Sequence, residues 1–371
     1  MVYLHVPFCE SFCTYCGFFS TVIPSEAKNR CFETFADAVC AEIESRRDEI
    51  AATSSLNTLY VGGGTPSVLP LGILSRIVSS LRPVLPSANQ LFWKEFTMEV
   101  NPEDIVEKGE DYVKGLMALG INRISMGIQS FDDGILRWMN RRHDSAAAVK
   151  AFGILRRCGM DNISIDLIFG LPQLSESIWN STIEQALALG PEHISAYQLS
   201  IEEDSTLERL LSEGKFTEAP EEQCRSQYDL LCRKLNEAGY SHYEISNFAL
   251  PGKEAVHNSA YWRRVPYVGL GPGAHSLSAK GIRSWNTQDV SAYSREEEIL
   301  SPEDIRIERI MLPLRTSQGM PESELRSLAG DPIVDSLISE RSLVRCHSGE
   351  ESIRIPEDHF FVSDEIIREL V

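Results

Sequence analysis

Three cysteines fall within one short stretch near the N-terminus, Cys9, Cys13 and Cys16, at the spacing C-x3-C-x2-C. They follow directly on Val2–Pro7, an apolar run that reads as a strand. Spacing this tight lets one loop fold its thiolates around a single inorganic centre, and soft thiolate suits iron–sulfur clusters. A mononuclear zinc site would want a fourth Cys or His nearby, usually in a second spaced pair, and none follows. Three ligands on a four-iron cluster leave one iron open to a small molecule. Cys31, Cys40, Cys158, Cys224, Cys232 and Cys346 are dispersed without ligand spacing and read as core or surface thiols.

The motif C-x3-C-x2-C resembles the cluster loop of the radical S-adenosylmethionine (SAM) superfamily. The wider stretch Y-x-H-V-P-F-C-x3-C-x-Y-C, from Tyr3 to Cys16, is similar to the branch holding oxygen-independent coproporphyrinogen III oxidase and the HemW-type haem chaperones. The resemblance implies that Cys9, Cys13 and Cys16 hold a [4Fe–4S] cluster whose open iron chelates SAM. It further implies that an electron from the cluster splits SAM into methionine and a 5′-deoxyadenosyl radical, with the protein supplying binding, orientation and exclusion of water.

Other residues are expected to serve that cofactor. In Gly62-Gly63-Gly64-Thr65-Pro66 the glycines let backbone approach a ligand where a side chain would collide. This run, with Gly63, Gly64 and Thr65, resembles the family element that binds the amino group of SAM. Glu99, in Glu-Val-Asn-Pro, is a carboxylate able to accept from the cofactor's amine or ribose, and Gln129 is an amide able to recognise carboxylate or ribose. Arg141 offers a planar fork of donors for the cofactor's carboxylate; Arg142 beside it competes, and the family register favours Arg141. Asp166 sits in an apolar strand where an unpaired charge is costly. Tyr3 and Tyr15 match positions that pack near the cluster and adenine.

Two features separate the branches. The oxidase carries a further cysteine two residues after its third ligand, where this chain has Phe18, and a longer segment ahead of its motif. His257-Asn258-Ser259-Ala260-Tyr261-Trp262 resembles the H-N-x-x-Y-W signature of the chaperones. A neutral imidazole is a common axial ligand to haem iron, which makes His257 a candidate haem ligand and His275 a second one; a hydrogen-bonded structural histidine is the other reading of His257. His5 is expected to order the cluster loop. The leading expectation is a chaperone that binds haem and passes it to acceptor haemoproteins. The alternative is a radical SAM oxidase converting propionate side chains of coproporphyrinogen III to vinyl groups. Either would draw on an electron donor.

The elements that must position these residues alternate strand and helix from Tyr3 to His257. Strands are expected at Val2–Pro7, Thr58–Val61, Phe96–Val100, Arg123–Ile128, Ile163–Ile168 and His193–Leu199. Helices are expected over Glu26–Ala52, Leu71–Leu85, Asp111–Leu119 and Ser177–Leu189, with two around Asn140–His143. Six such units imply an α/β fold, an incomplete (β/α)6 parallel barrel, with the motifs on its C-terminal rim. The resemblance implies the same radical SAM partial barrel. The expected division is 1–200 for the barrel, 201–300 for a flanking segment, and 301–371 for a small accessory domain, winged-helix-like in outline, with a hairpin near Ser352–Val362.

The chain has 371 residues and a net charge of −19, from 54 acidic and 35 basic residues. That balance disfavours sequence-independent nucleic-acid binding and polybasic docking on anionic lipid. Any membrane contact is expected only through a membrane-bound acceptor. No signal peptide or spanning run is visible, and nine cysteines in a chain this long fit a reducing cytoplasm. The sequence leaves both monomer and homodimer open.

Overall fold

The computed structural model describes residues 1–85, 93–347 and 351–371. Strands β1 (Val2–Val6), β2 (Thr58–Gly63), β3 (Glu95–Val100), β4 (Arg123–Gln129), β5 (Ile163–Phe169) and β6 (His193–Gln198) lie side by side in that order. Every neighbouring pair among them is parallel. Helices α1 (Lys28–Ser45), α2 (Arg47–Thr53), α3 (Leu71–Leu81), α4 (Pro102–Leu119), α5 (Asp133–Trp138), α6 (Ser145–Arg157) and α7 (Glu176–Leu189) make the crossovers that parallel pairing requires. Side chains alternate along each strand, so one set packs outward on the helices and the other faces the inside of the curl. Val2, Leu4 and Val6 are buried in the core, while Tyr3, between them, is only partly covered.

The helices bury what their periodicity presents. α1 buries Phe32, Phe35, Val39 and Ile43, spaced three or four apart. The Phe8 ring, beside the cysteine loop, meets Phe32 and Phe35 edge-on at 5.2 and 5.3 Å. The loop is thereby anchored to the core at its root. The single helix expected over Glu26–Ala52 breaks at Arg46. Its guanidinium donates to the Gly269 carbonyl at 2.7 Å and to Ser276 Oγ at 3.0 Å, besides pairing with Glu42 and Glu49.

After β6 come helices α8 (Thr206–Ser212) and α9 (Glu221–Glu237). Strands β7 (Ser241–Glu244), β8 (Asn247–Ala249) and β9 (Val268–Leu270) then rejoin the same sheet. β8 runs antiparallel between β6 and β7, and β9 lies parallel to β1 at the far edge. The stretch 201–300 therefore extends the sheet at both ends as well as flanking it. Between β8 and β9, α10 (Val256–Trp262) crosses the N-terminal end of the strands. Its Val256 and His257 amides donate to the Glu95 carboxylate at 2.6 and 2.9 Å. A second sheet, β10 (His275–Leu277), β11 (Ile282–Asn286) and β12 (Arg295–Ile299), is antiparallel. Among the described residues, the last segment joins five helical pieces, four α and one 3-10, to a small antiparallel sheet of Met320–Pro321, Val344–His347 and Glu351–Arg354. Its antiparallel pair of Val344–His347 and Glu351–Arg354 thus reaches only the first residues of Ser352–Val362, and the chain forms a 3-10 turn over Glu357–Val362. Among the described residues, no helix is long and apolar enough to cross a membrane.

Glu244, at the end of β7, is 1% exposed, and its Oε1 has no hydrogen-bond partner. Burial raises its pKa to about 7 from 4.5. A carboxyl raised in this way holds its proton more tightly in the folded chain. Its contribution is therefore complete below about pH 4.5 and is lost as pH rises through about 7. Glu244→Gln is expected to remove that slope and to stabilise the fold above pH 7 by on the order of 2 kcal/mol. Urea unfolding at pH 5 and pH 8 measures it; a variant with the wild-type pH dependence would assign the slope elsewhere.

Candidate functional site

The cysteine loop leaves β1 at Val6 and returns through Thr21–Val22, which pairs in parallel with Phe8–Cys9. Its middle is tied to the segment after β4. Thr14 donates from its amide to the Met139 carbonyl at 3.1 Å and from its hydroxyl to the Trp138 carbonyl at 2.9 Å. Asn140, held at φ 57°, donates to the Phe12 carbonyl at 2.7 Å. Cys9, Cys13 and Cys16 are unpaired and half-buried. They lie near enough for the charge of one to act on the others. Burial raises the Cys9 thiol and pushes Cys16 up to about 11, while the Arg141 guanidinium pulls both the other way. Three soft donors on one loop beside a fixed cation are the donor set of a cluster that is anionic overall, and the residues fit it.

The glycine run closes on this loop. The Gly64 amide donates to the Val6 carbonyl at 2.9 Å and the Thr65 amide to that of Phe8 at 2.7 Å. Thr65 Oγ1 lies 3.4 Å from Cys9 Sγ. Gly63, at φ 116°, lies against the His5 ring, where a Cβ would come within 2.7 Å. His5 is held on both sides, Nδ1 at 3.0 Å from the Tyr3 hydroxyl and Nε2 at 3.0 Å from the Phe19 carbonyl. It therefore ties strand, loop and glycine run together. Glu99 accepts from the Tyr60 hydroxyl at 2.8 Å and from the Gly63 amide at 3.1 Å. Burial nevertheless lifts its pKa to about 7.

At the end of β4 the register slips between Gly127 and Gln129, and Gln129 adopts φ 70°. A non-glycine residue held there is strained, a common mark of a functional position. Its amide folds back over Gly127, where a Cβ would lie 2.8 Å from Gln129 Nε2 and 3.4 Å from Arg141 Nη2. Arg141 donates to the Gly127 carbonyl at 2.8 Å and to Cys13 Sγ at 3.3 Å, while its buried Nε has no partner. Arg142 is turned away, pairing with Asp104 at 3.1 Å and Glu103 at 3.4 Å. The two neighbouring arginines thus have different partners. Asp166 accepts from Ser125 Oγ at 3.3 Å, and burial raises its pKa against the pull of Ser195 and Arg123.

One end of the parallel strands therefore gathers the three cysteines, Gly63–Thr65, Glu99, Gln129, Arg141 and Asp166, with Tyr3 and Tyr15 beside them. A radical SAM superfamily model matches residues 3–186, which span that whole set. Coproporphyrinogen III oxidase (HemN) of Escherichia coli, described as a radical SAM enzyme, superposes with a TM-score of 0.80 at 21% identity. That likeness covers 100% of this chain and 89% of the other, and it gives the fold: the radical SAM partial barrel. Heme chaperone HemW of Bacillus subtilis (strain 168) is 32% identical across 98% of this chain and 97% of its own length. The chain belongs to the HemW family. Heme chaperone HemW of Escherichia coli (strain K12) is 28% identical over 93% of this chain and 92% of its own.

The family's H-N-x-x-Y-W element lies away from the rim. His257 is 0% exposed, on α10 under the N-terminal end of β2. Its Nδ1 is 2.9 Å from Thr58 Oγ1 and its Nε2 3.0 Å from the Tyr261 hydroxyl. Burial lowers its pKa to about 3, so the ring is neutral. Both ring nitrogens are engaged within the core in this structure, the arrangement that the structural-histidine reading expects.

Sequence reasoning missed Tyr60, Ser125 and Gly127. Tyr60 lies two residues before Gly62 and Gly127 two before Gln129, while Ser125 lies in register beside Glu99. Applying the two-residue period of a strand to the marked positions would have found them.

Proposed function

We propose that this chain carries haem to acceptor haemoproteins, with a [4Fe–4S] cluster on Cys9, Cys13 and Cys16 and SAM on the rim beside it. The observation that carries this reading is the identity to heme chaperone HemW along nearly the whole chain. Phe18, where the oxidase branch carries a further cysteine, points the same way. When bound, such a cluster supplies an electron to the sulfonium of SAM. The chain's own groups do the holding. Gly63 and Gly64 would admit the cofactor's amine to the backbone, with Glu99 as its acceptor. Arg141 would serve the carboxylate and Gln129 and Asp166 the ribose, while Tyr3 and Tyr15 would pack near cluster and adenine. An electron donor and the acceptor haemoproteins are the partners implied.

Arg141→Ala should leave cluster assembly possible and weaken SAM binding. A charge-assisted contact is worth about 1.5–3 kcal/mol, or roughly ten- to hundred-fold in affinity. Calorimetry with SAM on matched, cluster-loaded proteins reads it, and unchanged affinity would move the carboxylate contact elsewhere. The carrier reading is tested by giving anaerobic, cluster-loaded protein ferric haem and, separately, coproporphyrinogen III with SAM and reductant. Retained haem with no vinyl product is expected. Vinyl product would promote the oxidase.

A further inference from the structure

SAM carries its amine and its carboxylate on one carbon, so the subsites that receive them must stand at a fixed spacing. Here those subsites come from different elements. The glycine run at Gly63–Thr65 ends β2, and Arg141 follows α5. A carboxylate on a third element reaches both. Asp104, in the first turn of α4, is 3% exposed. Its Oδ2 accepts from the Ser67 hydroxyl at 2.5 Å and its Oδ1 from Arg142 Nη1 at 3.1 Å. Ser67 belongs to the 3-10 turn Pro66–Val68 that continues the glycine run, and Arg142 is the chain neighbour of Arg141.

Both links are stiff. Ser67 is buried, and its Oγ accepts from the Asn101 amide at 3.0 Å while its proton goes to Asp104. Its carbonyl accepts from the Lys108 ammonium and from the Tyr112 hydroxyl, the latter at 3.3 Å. The turn after the glycine run is thus tied to α4 by side chain and backbone alike. Arg142 also pairs with Glu103 at 3.4 Å, so its partners both lie in the first turn of α4. The Arg141 amide donates to the Leu136 carbonyl at 2.9 Å, and Asn140 before it is held on the Phe12 carbonyl. A shift at Arg142 is therefore passed to Arg141. An ionised carboxyl accepts from Ser67 and Arg142 at once; an amide has one acceptor, and its NH2 would face the guanidinium or the serine.

We propose that Asp104 is a positioning residue for the amino-acid half of SAM. Through Ser67 and Arg142 it fixes the spacing between the glycine run, which takes the amine, and the Arg141 guanidinium, which takes the carboxylate. The inference rests on the SAM site proposed above and adds the group that sets its geometry. Asp104 acts through its two neighbours and not by contact with the cofactor. The adjacent arginines then divide the work, Arg141 toward the ligand and Arg142 as its anchor. Burial suits the role, since a charge-assisted link out of water holds its geometry better than an exposed pair. The adenosine half falls to Gln129, Asp166, Tyr3 and Tyr15, so the network should matter for the amino-acid half alone.

The test titrates full-length, cluster-loaded protein by calorimetry with SAM and with 5′-methylthioadenosine, which lacks the amine and the carboxylate. Asp104→Asn is expected to weaken SAM roughly ten-fold and to leave cluster iron and methylthioadenosine affinity unchanged. Arg142→Met cuts the same network from its other end and spares the Asp104–Ser67 bond, so it should weaken SAM in the same direction. Because the two act in one chain, the double variant should bind SAM no more weakly than Asp104→Asn alone. Glu110→Gln, on the same helix and paired with Lys114 and Arg157 at the surface, is the control and should match wild type. Wild-type SAM affinity in both Asp104→Asn and Arg142→Met, or an equal loss for the two ligands, would overturn the proposal while sparing the SAM site. A wild-type protein with no saturable SAM binding would overturn the SAM reading itself, and the positioning role with it.

Discussion

Cys13→Ala is expected to abolish assembly of the iron–sulfur cluster, and Cys9→Ala and Cys16→Ala to do the same. Each removes one of three thiolates on a loop whose path is fixed independently of any metal. The Thr14 hydroxyl and Asn140 amide, which donate to the Trp138 and Phe12 carbonyls, and the Phe8–Cys9 pairing hold the loop through contacts that none of these substitutions removes. The loss should therefore come from the missing ligand rather than from a collapsed loop. Cys13 has the further contact with Arg141 at 3.3 Å, so its loss also frees the guanidinium. Cys158, at the end of α6, packs against the core and donates its thiol to the Glu110 carbonyl at 3.7 Å. Cys158→Ala should load normally. Iron and sulfide analysis after anaerobic reconstitution decides the matter, and a triple cysteine variant with full iron would sink the assignment.

Residues whose meaning is local were legible in the sequence. C-x3-C-x2-C, the glycine run and the strand residues Glu99, Gln129 and Asp166 carry their signal in spacing and period, and the structure brings them to one rim. What escaped depends on distant partners. Arg46 looks like any helical arginine until Gly269 and Ser276 arrive from more than 200 residues away to take its guanidinium and break the helix there. The sequence pattern places the start of α4 at Asp111. The helix begins at Pro102 under an Asn101 cap and tolerates Gly109 at φ 68°. Nothing local marks Asn247–Ala249 as antiparallel or Val268–Leu270 as parallel to β1, since pairing partners are set by topology. His257 is the sharpest case. The signature around it was readable, whereas its two hydrogen bonds to Thr58 and Tyr261 depend on where α10 docks.

Gly64→Ala is expected to damage the site almost as severely as loss of a cysteine, for a purely steric reason. Gly64 lacks the positive φ of Gly63, so backbone strain does not enter. A Cβ there would lie 2.7 Å from the Phe8 carbonyl oxygen and 3.0 Å from Cys9 Sγ. Neither atom can move away cheaply. The Phe8 carbonyl already accepts from the Thr65 amide at 2.7 Å, and the Phe8 ring is locked between Phe32 and Phe35. The methyl must push the glycine run and the cysteine loop apart. Overpacking of this kind costs about 1–3 kcal/mol, here concentrated where Cys9 meets the glycine run. Cluster iron should fall and SAM binding should be lost together, with the rest of the fold intact. Gly72→Ala, in the first turn of α3 with open space around its Cα, is the matched control. It should keep full iron and melt slightly higher, because alanine favours a helix over glycine by about 1 kcal/mol. If Gly64→Ala assembles a full cluster and binds SAM as wild type does, the close approach of the glycine run to Cys9 plays no part in forming the site.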